Sequence, residues 1–232
     1  MKIFIPLALI CLCLCSELEG QALADLERIS SSTTLLYGTN DSKAITKITG
    51  SPYLIDGFAS TDMVIEVIGK EQNANFNARF NIYSNTFEVK YNEEIKYLDA
   101  AAVKTFEYTE GDKKFKFIQA VKFQEAGFEG KGFVELLSEG KAQLLAQEDI
   151  SIKNVTKRGF GVPDEISEKF YREKSYFIFI SDQFYDFKSF SNSSLEIFGD
   201  KADQIKDFVK SEKLKFKNEE DIQKAVNHFN SL

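Results

Sequence analysis

The side chains best suited to chemistry are scarce in this chain. Among 232 residues there is one histidine, His228, three cysteines and no tryptophan. A Ser-His-Asp triad would have to be built around His228, close to the carboxyl terminus. There a helix C-terminus would suit a protonated imidazole, which is the plainer role for it. Thiolate nucleophiles and the usual zinc ligand sets need Cys or several His. Cys11, Cys13 and Cys15 all lie within the first fifteen residues.

The local motifs fail on context. Ser138-Glu139-Gly140-Lys141 matches S-x-x-K, a motif that needs Ser and Lys one helical turn apart, but here it straddles an expected β-turn. Gly159-Phe160-Gly161 lacks the third glycine of a dinucleotide loop and reads as a connection before Pro163. Asp200 and Asp203 fall in a helical pattern, not a calcium loop. Asn154-Val155-Thr156 and Asn192-Ser193-Ser194 fit the glycosylation pattern, which matters only in a host that glycosylates such sites. Asp and Glu number 36, so hydrolysis by a carboxylate pair stays open, although spacing marks no two of them. The sequence assigns no catalytic residue, no metal ligand and no cofactor.

Aromatic rings are plentiful instead, with 22 Phe and 9 Tyr. They concentrate in "KSYFIFISDQFYDFKSF" at 174–190. Tyr176, Phe177, Phe179, Phe184, Tyr185 and Phe187 are the candidate ligand contacts there. Phe has no polar handle, so such rings suit a core or an apolar cavity better than a sugar platform. As a strand, the stretch turns Tyr176 one way and Phe177 and Phe179 the other. A strand apolar on both faces is covered on both faces, and core packing is the competing reading. The sheet would cover one side and the C-terminal helices the other.

The elements that must position these rings follow from periodicity. From about residue 43 to 188 the pattern alternates as in half-buried strands. In "NFNARFNIYS" Phe76, Ala78, Phe80 and Ile82 share one face, while Asn75, Asn77, Arg79, Asn81 and Tyr83 share the other. "TFEVKY" returns with Phe87, Val89 and Tyr91 inward and Glu88 and Lys90 outward. "KFKFIQAVKF" places Phe115, Phe117, Val121 and Phe123 together. "DMVIEVIGK" reads as a central strand covered on both sides. "GFVELLSEGKAQLLAQ" reads as two strands turning at Glu139-Gly140, and 175–180 and 184–188 as two more around Ser181-Asp182-Gln183.

Short turns between successive strands imply an antiparallel meander, and a wide sheet of that kind curls into a sandwich or partial barrel. Beyond residue 192 the period becomes helical. Ala202, Ile205, Phe208 and Val209 form one stripe, and Ile222, Ala225, Val226 and Phe229 another behind an Asn218 N-cap. A shorter helical turn starts near Ser193 or Ser194. The fold class is α+β, mainly β, with short C-terminal helices packed on the sheet. The divisions are 1–24, a β-rich 25–192, and a helical 193–232 on the same domain.

The amino terminus has the order of a secretory signal: Lys2, an apolar run from Ile3 to Cys15, then polar residues and Ala22-Leu23-Ala24. Cleavage is expected after Ala22 or Ala24. No small residue precedes Cys11, Cys13 or Cys15, so a lipoprotein anchor is not expected. Cleavage would remove every thiol together with Lys2, Glu17 and Glu19, taking the net charge from −7 to −6. An acidic chain lacks the basic patch that nucleic acid requires, and no later apolar run is long enough to span a bilayer.

"GSPYLIDGF" at 50–58, "ARFNIYSNTFEVKY" at 78–91 and "KLKFKNEEDIQKAVNHFNSL" at 213–232 resemble a group of secreted or cell-envelope proteins of Bacteroidota. The group carries no assigned activity. The resemblance implies export to the envelope and supplies no catalytic residue. The expectation is an exported, non-enzymatic binding or interaction module with an unknown envelope protein as partner. The alternatives are a carrier of an apolar, lipid-like small molecule in a Phe-lined cavity, and a carboxylate-dependent hydrolase. Location is left between periplasm, surface and medium.

Overall fold

The computed structural model describes residues 36–37, 48–91, 94–157, 165–186, 192–216 and 218–232. The signal segment, the Gly159–Pro163 connection and Phe187 lie outside the described residues. The clearest alternation makes the expected hairpin. In β3 (Lys70–Asn81) Phe76, Ala78 and Phe80 are buried while Asn75 and Asn77 are exposed. In β4 (Thr86–Tyr91) Phe87 and Val89 are buried in return. Asn81, expected outside, is buried because its Oδ1 accepts the Ser84 amide (3.0 Å) inside the turn. Glu88, also expected outside, is buried by Arg79 and Tyr53.

β2 (Ala59–Val67) is central, as expected, lying between β3 and β6 (Val103–Glu110). It is apolar on one face only. Met63, Ile65 and Val67 are buried, while Asp62 and Glu66 on the other face are exposed and need no cover.

The other strands are β1 (Leu36–Tyr37), β5 (Glu94–Asp99), β7 (Lys113–Gln119), β8 (Phe133–Ser138), β9 (Ala142–Lys157), β10 (Glu165–Ile180) and β11 (Gln183–Asp186). All eleven form one antiparallel sheet in the order β1-β5-β4-β3-β2-β6-β7-β8-β9-β10-β11. Two meanders, β2 to β5 and β6 to β11, are joined by one crossing.

That crossing shows how tightly the sheet curls. Asp99 ends β5 opposite Thr86, which pairs with Asn81. Val103 starts β6 opposite Ile65, which pairs with Gln72. In a flat sheet the nine positions between Gln72 and Asn81 alone would separate these ends by about 30 Å. The link, Ala100–Ala102, reaches about 14 Å at most. The sheet must therefore wrap, and its inside is filled by Met63, Ile65, Phe76, Phe80, Phe87, Val89, Phe106, Phe117 and Phe133. It is a partial barrel, since its end strands β1 and β11 do not pair.

Past this core, the same inner face of β9 and β10 carries Ala142, Leu144, Ile178 and Ile180. There α1 (Ala202–Ser211) and α2 (Glu219–Ser231) cover it with Ile205, Ile222, Val226 and Phe229. The N-cap forms as read, with Asn218 Oδ1 accepting the Asp221 amide at 2.9 Å. His228 stacks on Phe208, centroids 3.9 Å apart. A 3-10 segment, Asn192–Lys201, precedes α1 and kinks at Gly199.

Two turns differ from the sequence reading. β7 stops at Gln119, and a 3-10 segment, Ala120–Ala126, closes on Gly127 in the left-handed region (φ 90°). Val121 is therefore exposed and Phe123 is carried to the outer face. The β10–β11 turn is shorter than expected. Ser181 and Asp182 both have positive φ (51° and 58°), and Gln183 already pairs with Ile180. That is the geometry of a two-residue hairpin turn matched to strand twist.

Candidate functional site

The segment 49–58, just before β2, crosses the open side of the curl. Gly50, in the left-handed region (φ 92°), lies against the Phe170 backbone. Thr49 donates its amide to Glu168 O (3.0 Å) and accepts from Phe170 N (2.9 Å). Five residues on, Leu54 N donates to Phe80 O and Ile82 N to Pro52 O, both at 2.9 Å. The strap thus ties β10 to the end of β3 across the mouth.

Two arginines fasten it. Arg172 on β10 donates to the carbonyls of Tyr53 and Leu54 and to Glu148 Oε2 (2.9 Å). Arg79 on β3 donates to Asp56 O (3.2 Å) and Glu88 Oε2 (2.6 Å), and lies 3.8 Å over the Tyr53 ring. Tyr53 Oη donates to Glu88 Oε1 (2.8 Å). Burial and that bond to a carboxylate push the Tyr53 phenol up to about 12.

A cavity opens on each side of the strap. One, of about 240 Å³, has Phe80, Phe117 and Phe133 among its walls, with Ile82, Ile150, Lys131, Glu135 and Glu148. The other, of about 650 Å³, is wider and has Ile55, Phe58, Tyr108, Phe115, Glu110 and Arg172. Leu54 belongs to both.

A run of rings is shared between their walls. Phe106 and Phe117 are directly opposite on β6 and β7, as are Tyr108 and Phe115. Same-face neighbours on paired strands are forced into contact, and here they stack. The centroids are 4.5 Å apart for Phe106–Phe117, 5.8 Å for Phe117–Tyr108 and 4.9 Å for Tyr108–Phe115, with ring planes within 12°. The stack spans the walls of both cavities, with Phe117 in the smaller and Tyr108 and Phe115 in the wider.

The helix-covered end is closed by an ion group. Lys174 Nζ bonds Glu135 Oε2 (3.1 Å) and Glu219 Oε2 (2.6 Å), and Tyr176 Oη donates to Glu219 Oε2 (3.3 Å). Burial alone would depress this ammonium, but the bonds and charges of Glu219 and Glu135 outweigh it and hold its pKa above the ordinary lysine value. Burial, then the Glu135 charge, raises Tyr108 as well.

A pair of acids flanking one bond is what carboxylate hydrolysis requires. Glu135 and Glu148 are each tied to a cation. Asp149, next to Glu148 on the strand, also lines the smaller cavity, and its Oδ1 accepts from Gln147 Nε2 at 3.4 Å. Burial, then the Glu173 charge, raises its pKa. Among the described residues no three His, Asp or Glu side chains gather to hold a metal ion.

The aromatic stretch is divided between two other places. Tyr176 and Tyr185 pack with the helices on the inner face. Phe177, Phe179 and Phe184 pack on the outer face with Phe123 and Phe128, at centroid distances of 4.5–5.7 Å. The outer cover is thus the 3-10 segment 120–126 and Phe128. None of these rings lines either cavity. Alternation had placed Phe80, Phe115 and Phe117 inward. Nothing in the sequence marked Leu54, Phe133 or Arg172, because their roles come from strands far apart in the chain. No family model matches the chain, and no curated protein or solved structure matches it either.

Proposed function

We propose that this chain is an exported, non-catalytic binding protein of the cell envelope that holds an apolar ligand in the strapped groove. The observation that carries this reading is the stacked floor Phe117–Tyr108–Phe115, reached by a cavity on either side of Leu54. Among the described residues, helices cover the inner face of β9 and β10, and in the two cavities beside the strap apolar side chains meet open space. Apolar pockets with a few polar groups at the rim are the usual form of small-molecule sites. Export rests on the Lys2–Ala24 pattern.

Native mass spectrometry of the chain purified from its own cell envelope tests the reading. A bound species of a few hundred daltons is expected. It should be lost in Ile150→Asp, which puts a charge on the wall of the smaller cavity, while circular dichroism stays unchanged. A chain that is bare from its own envelope, and that takes up no apolar probe in vitro, would remove the proposal.

A further inference from the structure

We infer that the wider cavity takes an amine, with its apolar body against Ile55, Phe58 and Phe115 and its ammonium beside Tyr108, Asp56 and Glu110. This rests on the binding role proposed above and adds the chemistry of the ligand's polar end.

Three observations carry it. The cavity, at about 650 Å³, is within the roughly 300–1,000 Å³ of most small-molecule sites. Tyr108 in its wall is only 7% exposed, yet among the described residues nothing hydrogen-bonds its hydroxyl. The side-chain atoms that are both fully enclosed and unpaired among those residues are Ser138 Oγ and Gln143 Oε1. The Tyr108 hydroxyl therefore reaches open space, and the space that Tyr108 borders is this cavity. A polar group so enclosed normally has a partner, and a ligand here would supply it.

The third observation is the sign of the charge. The charged residues of this wall are Asp56, Glu110 and Arg172. Arg172 is already engaged by the Tyr53 and Leu54 carbonyls and by Glu148. Asp56 and Glu110 stand at the exposed edge, and neither makes an ion pair among the described residues. Lys113, opposite Glu110 in the β6–β7 hairpin, lies instead over the Phe115 ring, 4.5 Å from its centroid. The Tyr108 phenol itself feels the charges of Glu135, Glu110 and Glu148 against that of Lys174. Such a wall repels an anion and attracts an ammonium, whose N–H groups the carboxylates and the phenol oxygen can accept.

The chain has no tryptophan, so fluorescence excited beyond the tyrosine band reports an added indole alone. Tryptamine, tryptophol and indole-3-propionate share one apolar body and end the same two-carbon arm in an ammonium, a hydroxyl and a carboxylate. Each is titrated with the purified protein at low salt and followed by fluorescence anisotropy. Tryptamine should bind about ten-fold tighter than tryptophol, and the carboxylate most weakly. The margin should shrink as salt is added. In an Asp56→Asn, Glu110→Gln double variant the margin should vanish while the affinity for tryptophol stays. Tyr108→Phe, which removes only the hydroxyl, should weaken tryptamine about five-fold and leave circular dichroism unchanged. Equal affinity for tryptamine and tryptophol, or a margin untouched by the double variant, would overturn the inference and leave the apolar binding role standing. Failure of all three probes to bind would overturn it too. The binding role is then judged separately, by native mass spectrometry of the chain from its own envelope.

Discussion

Lys174 shows how one residue can be read in two ways. In the sequence it merely heads an aromatic run, while in the fold it holds Glu135 and Glu219 together. Lys174→Met leaves Glu135 buried without its cation and should cost about 2 kcal/mol in urea unfolding. Lys174 and Tyr53 both bind a proton more tightly folded than unfolded. The stability this contributes is complete below about pH 10, where the unfolded groups are still protonated, and is lost above it. The urea midpoint should therefore fall between pH 9 and pH 11, and the fall should be shallower in a Lys174→Met, Tyr53→Phe double variant. Asp149 tests a carboxylate. Its folded pKa is also raised, by burial and then by the Glu173 charge, so ionising it opposes folding. Asp149→Asn should be more stable than wild type at pH 7 and equal to it at pH 3, below both pKa values.

At the scale of elements, the terminal helix is fastened to the sheet by a residue that no helical stripe would single out. Asn230 lies outside the Ile222, Ala225, Val226 and Phe229 stripe. It accepts the Ala142 amide (2.8 Å) and donates to Ala142 O (2.9 Å) and Glu139 O (3.3 Å). The turn it clamps is the one read from Glu139-Gly140. A Cβ at Gly140 (φ 150°) would lie 2.6 Å from Asn230. Asn230→Ala should cost about 1–2 kcal/mol, measured by thermal or urea unfolding. Burial of α2's apolar face should remain, so its helical circular dichroism should not change. Here the sequence was legible as far as each element went: the stripe, the N-cap and the turn were all visible. The clamp was not, because it joins residues 88 positions apart.

The strap is the device that acts on the whole molecule. It joins β3 to β10, six places apart in the sheet, and Arg172 is its main tie to β10 beyond the Thr49 backbone bonds. Arg172→Leu should loosen the strap without unfolding the barrel. Hydrogen exchange should then quicken about ten-fold at the Leu54 and Phe170 amides, equivalent to about 1.4 kcal/mol. Ile65, deep in the core, should keep its protection. Equal acceleration at Ile65 would mean that Arg172 supports the entire fold and not the strap alone.

The chain's own residues determined the fold class, through period-two alternation in the strands, the change to helical stripes after residue 192, and the Gly140 turn. These signals are local, since each depends on which face of one element meets water. Only the tertiary structure decided which rings face open space. Phe177, Phe179 and Phe184, the densest aromatic run, became core because Phe123, on a 3-10 segment, and Phe128, just past it, arrived over them. Phe117, Tyr108 and Phe115, on the two strands of one hairpin, came to line the cavities because β6 and β7 pair in one register and the strap crosses beside them. Aromatic density along a chain measures how much apolar surface must be covered. Whether it is covered by protein or left open depends on which segments the fold brings over it, the 3-10 segment in one case and the 49–58 strap in the other.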